Sequence, residues 1–348
     1  MDNLANTDRR HDIDWLRTIA IFLLMLYHTT IVFQPWANEV WFIRSEQSLE
    51  TLWLLMEALN IWRIPLLFLV SGMGVAFAMR RRTWLQLVGE RVMRIVLPLI
   101  FGMFLVVPIH LMLFQSYQSM PLEYTSHAAH LWFLNNLVIY LSLFVALFYW
   151  LDTRRGHWPQ WLGKPPIASW LYLSIIPAML LASWVNPENF AAYASSLHGL
   201  VYGGYCFLLG FMFIYVGPSL QLYLQRWRFL HLAVAVTLYL SRLLLWELQA
   251  PNWLNALESM FWLFAILGLA GHYLNRPSRV LRYLSAGVYP MYIVHMVALY
   301  ANCFWLLPLQ LNPSLSLLIL TLCTLVQSLL FYELIRHIPW LRKLFGIK

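Results

Sequence analysis

The chain has 348 residues, of which 61% are hydrophobic and 11% charged, with a mean hydropathy of +0.64. Soluble chains carry about a quarter charged residues, so this composition excludes an ordinary water-soluble globule and points to a bilayer as the apolar solvent. The formal charge of +8 comes in short basic groups between apolar stretches, which is the pattern of cytoplasmic loops and not of a nucleic-acid surface.

Ten stretches of about twenty apolar residues follow one another along the chain. They lie near 14–34, 52–79, 88–114, 129–151, 167–185, 198–216, 229–247, 255–274, 283–306 and 313–335. They predict an all-α, polytopic transmembrane helix bundle, with residues 1–348 forming one domain. Arg9, Arg10 and Arg17 precede the first stretch as in a signal peptide, but that stretch carries His28 and lacks a small-residue exit. It reads as a retained span.

Basic residues set the orientation. Arg80, Arg81 and Arg82 join the second and third spans, and Arg154, Arg155 and Lys164 join the fourth and fifth. Arg226 and Arg228, then Arg276, Arg279 and Arg282, then Arg336, Arg342, Lys343 and Lys348 follow at alternate ends. With ten spans all of these fall on one side, so both termini are expected in the cytoplasm. The other face carries Glu39, Glu46, Glu50, Glu123 and Glu188.

Ionisable groups inside the spans are the informative ones, because each is costly in lipid unless paired or hydrated. The first span holds Asp14, Arg17 and His28. Eleven residues at ~100° each bring Arg17 and His28 within ~20° of one helix face, with a rise of ~16 Å. One helix therefore presents a cation near the inner surface and an imidazole further along the same line. The second span holds Glu57 and Arg63, six residues apart and so on different faces; each suits an ion pair with another helix or a contact to the acyl group or acceptor, and Arg63 also suits an anionic acyl group or a developing oxyanion. The third opens on Glu90-Arg91-Val92-Met93-Arg94, whose two guanidiniums fall three residues apart on one helical face. Planar forks of donors suit phosphate, and Arg17, Arg91 and Arg94 share one expected depth. His130 and Trp132 begin the fourth span on its outer side, where an aromatic face can stack a sugar or sit at the interface. His295 lies in the middle of the ninth, where it is a donor contact or a buried packing group.

These motifs together resemble the membrane-bound acyltransferase 3 family. The resemblance rests on Asp14 with the Arg17-to-His28 spacing, on Arg91-x-x-Arg94, and on Phe68-Leu69-Val70-Ser71-Gly72. Three further segments are similar to the glucans biosynthesis protein C branch, which succinylates periplasmic glucans: His130-Leu131-Trp132-Phe133-Leu134, Tyr292-Ile293-Val294-His295, and Tyr332-Glu333 with Ile338-Pro339. The resemblance implies an enzyme of the bacterial inner membrane that passes an acyl group, acetyl or succinyl, from cytoplasmic acyl-CoA to a sugar hydroxyl on the far side. Acyl-CoA is then a donor substrate, and no bound cofactor is expected. Arg17, Arg91 and Arg94 are expected to hold its phosphates and His28 to act as general base on the acceptor, an acyl-histidine intermediate being the less favoured route.

Cys206, Cys303 and Cys323 lie in apolar stretches without a CxxC, and no HExxH or clustered His and carboxylate pattern suggests a metal. A secondary transporter of an anionic solute is the alternative, but the charged groups concentrate in the first three spans, without the matching half that transporters show.

Overall fold

The computed structural model describes residues 10–153 and 167–347, and every regular element among them is helical. Arg9, Arg154, Arg155, His157, Lys164 and Lys348 lie outside those residues. The helices are α1 (His11–Ile31), α2 (Trp53–Met79), α3 (Trp84–Tyr117), α4 (Trp132–Thr153), α5 (Ile167–Leu173), α6 (Ile175–Val185) and α7 (Leu197–Val216). Then come α8 (Pro218–Arg226), α9 (Arg228–Trp246), α10 (Asn252–Tyr273), α11 (Arg279–Leu306), α12 (Pro313–His337) and α13 (Pro339–Leu344).

Eight of these are long and apolar enough to cross a membrane: α2, α3, α4, α7, α9, α10, α11 and α12. The two remaining expected spans differ for separate reasons. Helix α1 has the length, at 21 residues, but Asp12, Asp14, Arg17 and His28 dilute its apolar character. Near 167–185 the chain breaks at Ser174, whose hydroxyl bonds back to the Leu171 carbonyl at 2.5 Å and whose own carbonyl receives the Tyr205 hydroxyl.

Helix α3 is interrupted by π-helical turns at Val92–Val96 and Gly102–Val106, where Leu97 N–H reaches Val92 O and Val107 N–H reaches Gly102 O. Pro98 and Pro108 stand just beyond them. A proline has no N–H for the carbonyl four residues back, and in an apolar setting that carbonyl needs another donor. The Phe104 carbonyl, left by Pro108, accepts the Tyr124 hydroxyl at 2.8 Å. In α2 the Ile61 carbonyl, left by Pro65, faces the Tyr193 hydroxyl at 3.5 Å.

The chain divides into two compact units. The first comprises the described residues of Met1–Ala20, Ala58–Arg82 and Leu143–Ser285. Within it α10 packs against α6, α8 and α9. Helices α2 and α7 approach so closely that a Cβ on Gly72 would stand 1.9 Å from the Phe207 carbonyl oxygen, and one on Gly210 1.9 Å from that of Leu69. The segment Phe68-Leu69-Val70-Ser71-Gly72 is thus a packing seam, with Phe68, Leu69 and Val70 buried. Arg242 of α9 and Glu258 of α10, each 1% exposed, form an ion pair at 2.7 Å. At one end of this unit Arg10 bonds Gln221 of α8, and Arg80 beyond α2 bonds the Ile214 carbonyl of α7.

The second unit comprises Ile21–Glu57, Thr83–Ser142 and Ala286–Lys348. Its core gathers Phe33, Ile43, Phe114, Leu299, Tyr300, Cys303 and Leu320 around α11. The loop after α1 folds back on itself through Ser45 N–H to Val32 O at 2.8 Å and Leu49 N–H to Phe33 O at 2.9 Å.

Candidate active site

His28 sits one turn before the end of α1, half-buried, in the second unit. Its ring lies nearly parallel to that of His295, with centroids 5.1 Å apart, and its Nδ1 is 2.8 Å from Nε2 of His295. His295 of α11 is fully buried, and its Nδ1 lies 2.6 Å from the Tyr292 carbonyl oxygen. A carbonyl only accepts, so Nδ1 of His295 carries a proton. In the neutral ring Nε2 of His295 is then an acceptor, and His28 must donate to it through Nδ1–H. The hydrogen-bond network thereby assigns the tautomer: neutral His28 has its lone pair on Nε2.

His130 joins the same cluster. It lies in the turn Ala129–Leu131 before α4, and its Nε2 donates to the Ile293 carbonyl at 3.0 Å. The Tyr292 hydroxyl donates back to the His130 carbonyl at 2.5 Å. This reciprocal clasp ties the turn to α11 and leaves the lone pair of neutral His130 on its buried Nδ1, which has no hydrogen-bond partner among the described residues. The His130 ring stands edge-on to His295, with centroids 5.3 Å apart, and edge-on to His110 at 5.2 Å.

His110 is the residue that sequence reasoning missed. It is 2% exposed on α3 and packs 5.4 Å from the Tyr300 ring. The available signal was an imidazole in the middle of an apolar stretch. The loop after α1 completes the surroundings: Phe42 sits 5.5 Å from the His28 ring, and the Trp41 carbonyl takes the Tyr300 hydroxyl at 2.6 Å. Apolar and aromatic walls of this kind restrict water around a reacting group.

The other candidates lie elsewhere. Trp132 is half-buried at the start of α4, two residues beyond His130. Glu57 is 5% exposed on α2. Arg63, in the first unit, is 2% exposed, and its Nη2 makes a long 3.5 Å contact with Asn60 Oδ1. Arg17, also in the first unit, lies against α2, where a Cβ on Gly74 would stand 3.3 Å from its Nη2.

Arg91 ends the first α-helical segment of α3, and Arg94 lies inside the π turn. A π turn holds more residues per revolution, so three residues close less of the circle than in the α-helix expected there. Arg94 pairs with Glu90 at 3.1 Å and lines a cavity of about 250 Å³ with Lys343 and Ile347. Along α3 it stands ~24 Å from His110, by the rise of a helix. Among the described residues no three His, Cys, Asp or Glu side chains are placed to hold a metal ion.

A family model described as an acyltransferase domain, of the acyltransferase 3 type, matches residues 10–333. No curated protein matches the chain, and no solved structure does.

Proposed function

The chain belongs to the acyltransferase 3 family and is a multi-pass membrane acyltransferase; on that premise we propose that it carries an acyl group from cytoplasmic acyl-CoA to a hydroxyl of an extracytoplasmic glycan. In this reading the acceptor hydroxyl gives its proton to Nε2 of His28 as its oxygen attacks the thioester carbonyl. The C–O bond forms, the C–S bond breaks, and the departing thiolate takes the proton back from His28. No further reactant is needed.

The observation that carries the assignment is the run of bonds from the Tyr292 carbonyl through His295 to Nδ1 of His28. It supports a base by holding one tautomer. When His28 gains a proton, the bond to His295 becomes charge-assisted and about twice as strong. Walls formed by Phe42 and its loop favour attack by a bound alcohol over attack by water.

Arg17 in the first unit, and Arg91 and Arg94 in the second, are each proposed as ligands for donor phosphates; Lys343 beside Arg94 supports that role. Arg63 suits an anionic acyl group, and His130 and Trp132 suit the acceptor. The segments His130–Leu134 and Tyr292–His295 favour the glucans biosynthesis protein C branch, hence succinyl as the acyl group and a periplasmic glucan as acceptor, with acetyl the alternative. The resemblance implies a bacterial inner membrane, and the basic loops favour both termini in the cytoplasm.

The test is mass spectrometry of surface glycans from cells with the wild-type chain, with His28→Ala, and without the chain. Acyl mass is expected with the wild type alone. Wild-type acylation by His28→Ala would end the assignment of the base.

A further inference from the structure

We propose that Trp41, in the loop after α1, is a stacking platform for one sugar ring of the acceptor, held beside the His28 site by the Tyr300 hydroxyl. The inference rests on the glycan-acceptor reading above and says where that acceptor binds. Within the second unit Trp41 is 58% exposed, against 1% for Ile43 two residues on. Between them Phe42 is half-buried and turns inward, its ring 5.5 Å from that of His28 and 6.0 Å from that of Tyr300. The Trp41 indole leans on Phe114, with centroids 5.7 Å apart, so it is supported from one side while more than half of the residue stays open.

The backbone fixes this display. Trp41 has φ +62° and ψ +30°, in the left-handed region that a bulky side chain rarely adopts. Three hydrogen bonds hold it there. Trp41 N–H reaches the Asn38 carbonyl at 3.2 Å, Phe42 N–H reaches Ala37 O at 2.9 Å, and Tyr300 O–H reaches the Trp41 carbonyl at 2.6 Å. Ala37 is fully buried and Tyr300 of α11 is 2% exposed, so both anchors are firm. An exposed tryptophan in a disfavoured conformation gains nothing from burial, and such strain collects at ligand sites. A tryptophan that only sits among lipid headgroups needs no fixed backbone.

The surroundings suit a sugar. A pyranose carries C–H groups on its faces, which pack on a flat indole, and hydroxyls around its rim, which need donors and acceptors. One turn on from Phe114, Gln118 Nε2 donates to Asn38 Oδ1 at 3.2 Å, an exposed pair of amides beside the residue that caps Trp41. Glu39, also exposed, adds a carboxylate. An anionic lipid headgroup calls for cations, which neither an amide nor a carboxylate supplies. Trp41 and Phe42 are consecutive, with Cα atoms ~3.8 Å apart, so a sugar on the indole lies close to the wall of His28. A neighbouring sugar of the same chain then presents its hydroxyl to Nε2. The ligand this fits is a glucan of more than one sugar.

The test uses the full chain in nanodiscs, with acetyl-CoA and succinyl-CoA as donors and glucose and a linear six-sugar β-glucan as acceptors. Binding of the six-sugar glucan is also followed by saturation-transfer NMR, which needs no turnover. Trp41→Ala should raise KM and weaken binding for that glucan by about tenfold, as the loss of an aromatic anchor implies, with kcat and donor KM little changed. Trp41→Phe should recover most of the loss, and KM for glucose should be the same in all variants. Tyr300→Phe, which keeps the ring and loses the hydroxyl, should raise KM for the six-sugar glucan about threefold. Trp184→Ala, at an indole residue 76% exposed in the first unit, should change nothing. Unchanged KM and binding in Trp41→Ala overturn the platform and spare the acceptor reading. A wild type that neither binds nor acylates a glucan overturns both. A loss in Trp41→Ala that falls equally on donor KM, or that follows lipid composition, makes the residue a membrane anchor and overturns the proposal.

Discussion

His28 donates its Nδ1–H to Nε2 of His295 at 2.8 Å, and His295 is itself oriented by the Tyr292 carbonyl. The first histidine has the exposure to meet a substrate, whereas the second is fully buried and can act only through the first. In the proposed acyl transfer His28 is the base and His295 a positioning residue, whose loss should cost the correct tautomer, and so rate, without removing the base.

Replacing His295 with Ala should lower kcat by about 10–100-fold with little change in donor KM, because the lost interaction serves the transition state. His28→Ala should fall to background. Steady-state kinetics check this, and an unchanged kcat in His295→Ala would remove the positioning role.

Arg94→Ala should raise donor KM by about tenfold while kcat changes less, as expected for binding made equally in ground and transition states. The loss should be partly restored by Arg94→Lys, which keeps the charge but not the fork. If KM for acyl-CoA is the same in all three proteins, Arg94 serves only its pair with Glu90.

The Arg242–Glu258 pair makes a stability prediction in the first unit. Glu258 also receives the Trp262 indole N–H at 3.3 Å, and Arg242 lies 5.4 Å over the Tyr239 ring. Glu258→Ala leaves a guanidinium buried without its carboxylate and should destabilise by about 3–5 kcal/mol. The double change Arg242→Met with Glu258→Leu should recover most of that. Thermal unfolding of the purified proteins in detergent decides, and equal loss in both variants would contradict the account.

Glycine contacts predict opposite signs at different helices. Gly72→Ala and Gly210→Ala place a Cβ 1.9 Å from backbone oxygen, so α2 and α7 must separate and thermal stability should fall markedly. Gly89→Ala meets nothing within 4 Å and should stabilise α3 by about 0.5–1 kcal/mol. Tolerance of alanine at both Gly72 and Gly210 would show that the seam is looser than described.

Much of the helical layout was legible. The expected stretches 52–79, 198–216 and 283–306 lie within four residues of α2, α7 and α11, because an unbroken apolar run has one economical way to satisfy its backbone in lipid. The break at Ser174 was not, since a serine in such a run reads as tolerable until its hydroxyl turns to its own backbone. Nor were the π turns of α3, where the spacing of Arg91 and Arg94 had been read with α-helical geometry.

By itself the sequence determined that this chain needs a bilayer, where most of its long helices run, and that Arg17 and His28 share one line of α1, because these follow from local hydropathy and helical period. It also marked His28, His130 and His295 as separate polar points in apolar stretches. That the three converge with His110, and that His28 is held as the Nδ1–H tautomer, was decided by tertiary structure alone. Those facts depend on carbonyls of α11 lying 2.6 to 3.0 Å from two ring nitrogens. No local pattern encodes a distance between residues separated by 267 positions in the chain.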